Sequence, residues 1–328
     1  ENAPKGFEGA IALTRKYLPS RRPLFEAALS ANGGFAKADI LNPIGKDEWD
    51  IIEVKSTTSL KDEHIPDVAF QAWVFNEAGI KIRRCFLCHI NNQFVKHGEI
   101  DPKEFFTLQN VTAQVSAFSS EIEEQLSDMG KTIRSAKCPD VQIGLQCDSP
   151  YTCPLHEHCW SFVPAHSVFD LYDDKKGRRW DLFQKRNVLR ISEIPDDYPL
   201  SAKQEIQRQT ITTGNPHVNK SAIQTFLNQL EYPLHFLDFE TFSAAIPIFD
   251  GTKPYAQIPF QFSLHIVWKV GEKPERRKFL AEGRNAPRAA FMRRLKLAIE
   301  PTGSILVFNA TFEKQRMKEC AELLHEHE

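Results

Sequence analysis

The segment KADILNPIGKDEWDIIEVKST constrains the fold of this chain more than any other. Asp50 to Thr57 reads as a strand. With side chains alternating faces, Ile51, Glu53 and Lys55 share one side while Ile52 and Val54 share the other. The stretch Asn42-Pro43-Ile44-Gly45-Lys46-Asp47 is turn-prone, so a hairpin with a strand over Phe35 to Leu41 is expected, with Asp39 near the carboxylate end. Two carboxylates facing one pocket bind a hard divalent cation, Mg²⁺ or Mn²⁺, and such a cation lowers the pKa of a water that attacks phosphorus. Lys55 would orient that water or offset charge building on the phosphate. Taken alone, Glu-x-Lys is a common exposed strand pair, so the chemistry rests on the context around it.

The chain of 328 residues is long enough for two domains, at the usual size of roughly 100 to 200 residues each. It starts at Glu1 without a Met and stops inside the helical pattern AELLHEHE, so a fragment lacking material on both sides is expected. The formal net charge of −2 gives no global sign of a nucleic-acid partner. Basic surface must be local: Lys175-Lys176 with Arg178-Arg179, Arg276-Arg277-Lys278, and Arg293-Arg294 with Lys296. No apolar run is long enough to span a bilayer and no signal-peptide pattern opens the sequence, so a cytoplasmic protein is the default.

Seven cysteines suit metal binding better than a disulfide framework in a cytosolic chain. Cys138, Cys147, Cys153 and Cys159 crowd into one proline-rich polar segment that suits a loop wrapped around a centre. Zinc is the generic expectation, with His156 or His158 as substitutes for a thiolate, but zinc sites usually use tighter Cys-x-x-Cys knuckles. Cys85 and Cys88, three apart on a strand, face opposite sides and read as core residues, as does Cys320.

From about His166 to Lys220 the chain is charged and mixed, with short amphipathic stretches at Trp180 to Lys185 and Ala202 to Gln209, and reads as a helical connector. Within it, LFQKRNVLRISEIPDDYPLSAKQ is reminiscent of a helix-hairpin unit that touches a DNA backbone, with a packing role as the alternative. Then PLHFLDFETF opens a hydrophobic strand carrying Asp238 and Glu240 on one face beside Phe236. Two acids inside an apolar strand are costly to bury without a partner, and a metal is a natural one. Ser304 to Phe308 reads as a further strand, followed by Asn309-Ala-Thr-Phe-Glu313 and a helix to Leu324.

The first pattern resembles the PD-(D/E)xK nucleases of the RecB type, which include the CRISPR-associated RecB-like exonucleases and the nuclease domain of AddB. In them an Asp after a first strand is followed by Glu-x-Lys on the next and then by a helix carrying a Gln. Asp39, Glu53 and Lys55 fill these places, and Gln71 falls on the expected helix Asp67 to Glu77. Phe75 stands where the family often has a Tyr, which removes a phenol without touching the metal site. Leu24-Phe25-Glu26-Ala27 looks like the opening strand or helix whose acid, Glu26, completes the metal shell in these enzymes. Cys147, Cys153 and Cys159 resemble the iron-sulfur staple of the same nucleases, which implies a [4Fe-4S] cluster. Its fourth ligand would lie before Glu1, with Cys138 as the substitute.

The second half resembles the RNase H-like DEDD exonucleases. Asp238 and Glu240 match the first motif, Glu313 stands where an Asp is usual, and a third acidic motif would lie beyond the chain. With the phrases LDFETF, GTKPY and IPFQFSLH, the whole looks like a bacterial family of large uncharacterised proteins joining a RecB-like nuclease with an iron-sulfur motif to an RNase H-like domain of unknown function. The resemblance implies α/β structure in both parts. It places a nuclease domain over 1–165 with a cysteine loop at 137–160, a connector over 166–220, and an incomplete RNase H-like domain over 221–328. The function implied is a metal-dependent nuclease, an exonuclease on single-stranded DNA or duplex ends with RNA also open, acting in DNA repair, recombination or phage defence. The alternative is a catalytically weak nucleic-acid-binding scaffold with a structural or redox-sensing cluster.

Overall fold

Residues 6–283 and 285–325 are described by a computed structural model, in which the chain is α/β and carries two mixed sheets. It divides into two units, one joining the chain up to Ser135 with the chain from Leu230 onward, the other spanning Ala136–Gln229. Among the described residues, no helix is long and apolar enough to cross a membrane.

The first sheet begins after α1 (Gly6–Tyr17) with β1 (Leu24–Ala31), β2 (Gly34–Ile44) and β3 (Glu48–Lys55), a run of antiparallel neighbours. The hairpin is as expected but longer, because β2 continues through Asn42 and Pro43, which pairs with Trp49. Proline fits there because β1 stops at the Leu24↔Leu41 pair, so the missing N–H falls where no second ladder needs it. Arg21 closes the turn, its Nη2 donating to the carbonyls of Ile44, Gly45 and Glu48 while its guanidinium lies 4.4 Å from the Trp49 ring centroid.

Helix α2 (His64–Glu77) then carries the chain to β4 (Lys81–Ile90), which runs parallel to β3, as a helical crossover permits. It starts three residues before Asp67, since Pro66 sits in its first turn, where a missing N–H has no helical partner to lose. His64, Val68, Gln71, Ala72 and Phe75 form its buried stripe. A Cβ at Gly34 would lie 3.0 Å from Val74 Cγ2, so the glycine is what lets α2 sit this close to β2. Phe75 is fully buried in that core, worth roughly 2 to 3 kcal/mol of apolar burial. After α3 (Pro102–Phe105), β5 (Phe106–Asn110) completes the sheet order β1-β2-β3-β4-β5, and α4 (Thr112–Arg134) adds Val115 and Ile122 to its core.

The unit Ala136–Gln229 holds the cysteine loop, α5 (His156–Cys159), α6 (Arg178–Trp180), α7 (Ala202–Thr213) and α8 (Lys220–Asn228). Val168, Leu171, Leu182, Ile191, Ile194 and Tyr198 make its own small core. The apolar residues of the segment reminiscent of a helix-hairpin are therefore occupied in packing. Helix α7 opens with a capping box between Ser201 and Gln204 and ends at Gly214, whose φ of 70° lies in the left-handed region.

The second sheet has the order β8-β7-β6-β9, from β6 (Leu234–Phe242), β7 (Ile258–Val267) and β8 (Glu275–Leu280) in antiparallel succession, then α9 (Arg288–Ala298), β9 (Ser304–Leu306) parallel to β6, and α10 (Ala310–His325). Strand β9 is shorter than expected and stops at the Phe236↔Leu306 pair, leaving Phe308 fully exposed. Leu237 and Phe239 face the helices and pack with Phe291, Leu295 and Phe312. Phe236, Asp238 and Glu240 point the other way and are exposed.

The long connection between β6 and β7 docks on the loop after β4 and on the end of β3. Lys96 N donates to Thr252 O at 3.0 Å, Gly251 N donates to Lys96 O at 2.8 Å, and Lys96 Nζ pairs with Asp250 at 2.5 Å. The Tyr255 hydroxyl donates to Ser56 O, one residue beyond the end of β3.

Candidate active site

Strand alternation places Glu53 and Lys55 on the same side of β3, and α2 covers that side. Lys55 Nζ donates to Glu53 Oε1 at 2.6 Å and to Asp67 Oδ2 at 2.6 Å. Gln71 Nε2 donates to Glu53 Oε2 at 2.8 Å. Asp39, on the neighbouring strand, accepts the Val54 backbone N–H at 2.7 Å through Oδ2. It is also close enough for its charge to act on Glu53. Asp39, Glu53, Lys55 and Gln71 are thus gathered at one place.

Asp67 joins this group and was not singled out from the sequence. It lies four residues before Gln71, so the two share a helix face, and that spacing was the available signal. His64 is the other addition. It is buried, its Nδ1 accepts from Lys61 N at 3.2 Å, and burial together with the Lys55 charge holds its pKa below the ordinary imidazole range. As the acceptor of that bond, Nδ1 carries no proton.

Glu53 is 6% exposed, and burial is the main influence on it, raising its pKa. Hydrogen bonds from Lys55 and Gln71 pull the other way without cancelling the rise, and Asp39 adds to it. Burial works against the charge on Lys55, but its bonds to Asp67 and Glu53 outweigh this and hold it well above the ordinary ammonium range. Three carboxylates against one ammonium leave the site with a net charge of −2. One divalent cation would neutralise that excess.

The donor set fits such an ion. Asp39 has one carboxylate oxygen outside its bond to Val54, and Gln71 Oε1 is a buried acceptor without a hydrogen-bond partner among the described residues. A buried unpaired acceptor costs about 1 to 3 kcal/mol, and a cation or its water would satisfy it. Among the described residues, no group of three or more His, Cys, Asp or Glu side chains is arranged to hold a metal. Magnesium commonly needs less, one or two carboxylates with waters and substrate phosphates completing its shell. Asp39 and Glu53 supply that pair.

The raised pKa of Glu53 has a consequence for stability. A carboxyl whose folded pKa lies above its unfolded value favours folding in its protonated form. That stability is complete below the unfolded pKa and is lost as pH rises through the folded one. In metal-free protein, Glu53→Gln is expected to gain on wild type as pH rises from about 4 to 8, by about 1.4 kcal/mol for every tenfold by which folding tightens the hold of Glu53 on its proton. Denaturant unfolding across that range measures the difference; a gap that does not change with pH would remove the argument.

The remaining predicted residues are placed differently. Glu26 lies on β1 opposite Asp39 by register, with φ 56°, in the left-handed region, and its mostly exposed carboxylate is paired with Lys37. No hydrogen bond or ion pair ties it to Glu53. Asp238 and Glu240 share a face with Phe236 as expected, but that face is open, so the cost of burying two acids in an apolar strand does not arise. Glu313, in the first turn of α10, is buried with Oε2 unpartnered, beside Phe312, whose ring lies 6.1 Å from Phe239 on the covered face.

Among the described residues, the four loop cysteines form no disulfide. Cys153 N donates to Cys147 O at 2.7 Å, and Gly144 N donates to Cys147 Sγ at 3.5 Å. Cys138 and Cys159, with His158, line one cavity of about 680 Å³. Cys85 and Cys320 are core thiols, pushed by burial to about 12 and about 11.

Residues 235–328, from β6 onward, match the model of a domain of unknown function, DUF2779. No curated protein matches the chain. A solved structure titled "Crystal structure of SSO0001" aligns at 12% identity and a TM-score of 0.20, over 39% of this chain and 58% of that one. A likeness that low carries no argument about fold.

Proposed function

We propose that this chain is a metal-dependent nuclease that hydrolyses phosphodiester bonds at the Asp39–Glu53–Lys55–Gln71 site. The observation that carries the reading is the convergence on Glu53, where Lys55 and Gln71 each hold one carboxylate oxygen and Asp39 stands on the adjoining strand. The resemblance to RecB-type PD-(D/E)xK nucleases names the same four residues, and DNA, as single strands or duplex ends, is the substrate class it suggests.

In this reading Asp39 and Glu53 would hold Mg²⁺ or Mn²⁺, and the bound ion supplies Lewis acidity toward water and phosphate. Lys55 keeps its proton at working pH, so it acts as a fixed positive charge that steadies negative charge on the phosphate and does not serve as a base. Gln71 orients the Glu53 carboxylate through Nε2 and offers Oε1 to a water. Asp67 fixes the Lys55 ammonium through a second bond, independent of the one to Glu53. Asp238 and Glu240, on the open face of the second sheet, are the alternative place for the metal.

The test is release of nucleotides from end-labelled single-stranded and duplex DNA with Mn²⁺ or Mg²⁺, comparing wild type with Glu53→Ala and Asp238→Ala. Loss in the first variant alone supports the reading; loss in the second alone moves the chemistry to the second sheet.

A [4Fe-4S] cluster at Cys147, Cys153 and Cys159 belongs to the same proposal, supported by their confinement to one loop. Cys138 is the substitute fourth ligand within the chain, and it shares a cavity with Cys159. Anaerobically purified protein is expected to be brown, with about four irons and matching acid-labile sulfide. Colourless protein with one zinc would replace the cluster by a structural zinc site and leave the nuclease proposal standing.

A further inference from the structure

The connection between β6 and β7, together with Asn92, α9 and α10, lines an open cavity of about 530 Å³ that Tyr255 borders. Asn92, Lys253, Tyr255, Arg288, Arg316 and Glu319 line it. Arg288 is half-buried, and among the described residues its guanidinium makes no hydrogen bond and no ion pair within 4 Å. Burial pulls its pKa down, against the charge of Glu319. It is also the first residue of α9, whose first turn holds no acid, so the positive end of the helix dipole adds to the same excess of charge.

Arg316 stands across the cavity, its Cζ 5.5 Å from the Phe312 ring centroid and its Nη2 on Glu319 Oε1 at 2.6 Å. Its Nε is buried without a partner among the described residues. Among the described residues, Lys253, Arg288 and Arg316 face only Glu319 and Glu322 as acids, so the described lining carries one net positive charge. A partly desolvated guanidinium with no direct hydrogen bond or ion pair is unfavourable, and a planar fork of N–H donors is the group best matched to phosphate oxygens.

We infer that this cavity is a phosphate-binding site, in which Arg288, Arg316 and Lys253 hold a phosphate group of a nucleotide or of a nucleic-acid strand. Nucleic acid as the source rests on the nuclease reading; phosphate binding itself does not. Tyr255 connects the two places, since it lines this cavity and its hydroxyl donates to Ser56 O beside Lys55. A strand end held here would lie against the same loop that meets the end of β3.

The test uses the whole chain in EDTA, so that no cleavage occurs. A 3′-fluorescein oligodeoxythymidine with either a 5′-phosphate or a 5′-hydroxyl is followed by anisotropy, with inorganic phosphate and dTMP as competitors. Wild type is expected to prefer the 5′-phosphorylated probe. Arg288→Met is expected to lose about 10- to 100-fold of that affinity, the range for charge-assisted bonds. Its melting temperature without ligand should be unchanged or higher, because an unneutralised charge has gone. Lys253→Ala, an exposed loop change, should lose affinity in the same direction.

Competition by dTMP and inorganic phosphate as strong as by the oligonucleotide assigns the site to free nucleotide or phosphate; weaker competition assigns it to a strand end. Wild type that does not distinguish the two probes and responds to neither competitor overturns the inference. So does Arg288→Met with a lowered melting temperature and unchanged phosphate affinity, which makes the arginine structural. Phosphate binding without any cleavage in Mn²⁺ would sink the nuclease reading and leave this one intact.

Discussion

Glu53→Ala is expected to lower metal-dependent DNA cleavage by about 10³-fold or more, equivalent to roughly 4 kcal/mol of transition-state stabilisation at 1.36 kcal/mol per tenfold. The size follows from the position of this residue. It is the carboxylate that both Lys55 and Gln71 grip, so its removal takes away one of two ion ligands and leaves Lys55 anchored by Asp67 alone. Stability should change much less, because the loss of a desolvated charge offsets the Gln71 donor left unpaired. Glu53→Gln separates charge from shape: it keeps the volume and is expected to be as inactive as the alanine variant. Binding of Mn²⁺ gives a reading independent of turnover, since saturation to about 100 times Kd stabilises a protein by about 2.7 kcal/mol. That stabilisation should be present in wild type and absent from both variants. If wild type is stabilised by metal and binds DNA but does not cut it, the scaffold reading replaces the nuclease.

Gly303→Ala is expected to cost about 3 kcal/mol or more and to lower the melting temperature by about 6 to 12 °C. Gly303 has φ 97°, which an L side chain adopts only with strain of about 1 to 2 kcal/mol. A Cβ there would lie 2.0 Å from Pro233 O, a backbone atom that no rotamer change can move. Forcing them apart adds overpacking of about 1 to 3 kcal/mol. The strain falls where β9 joins β6, beside the bond from Ser304 N to Glu231 O at 2.8 Å and the return bond from Glu231 N to Ser304 Oγ at 2.9 Å. Calorimetry of wild type and variant measures it. A shift of less than about 1 °C would show that the turn re-forms around the added methyl.

Much of the first sheet could be read in advance, for a local reason. Alternation of side chains puts Glu53 and Lys55 on one face whatever surrounds them, and the turn residues after Asn42 force β2 and β3 together. Gln71 was reachable because helical spacing put it on the buried stripe of α2. Pro43 inside β2 was not, because its tolerance depends on where β1 happens to stop. The acids of β6 show the same limit from the other direction: alternation correctly put Asp238, Glu240 and Phe236 together, but which face the helices would cover was decided by α9 and α10.

The sequence alone determined which residues share a face, where the chain turns, and that two carboxylates and a lysine stand on paired strands, since these follow from periods of 2 and 3.6 residues and from turn chemistry. Tertiary structure decided the rest. It buried Glu53 and left Asp238 in the open, brought Asp67 to Lys55, and set Tyr255 against Ser56 and Arg288 in a cavity where, among the described residues, it makes no direct ion pair. Burial and long-range contact depend on which surfaces meet when the sheets and helices pack, and no local pattern carries that information.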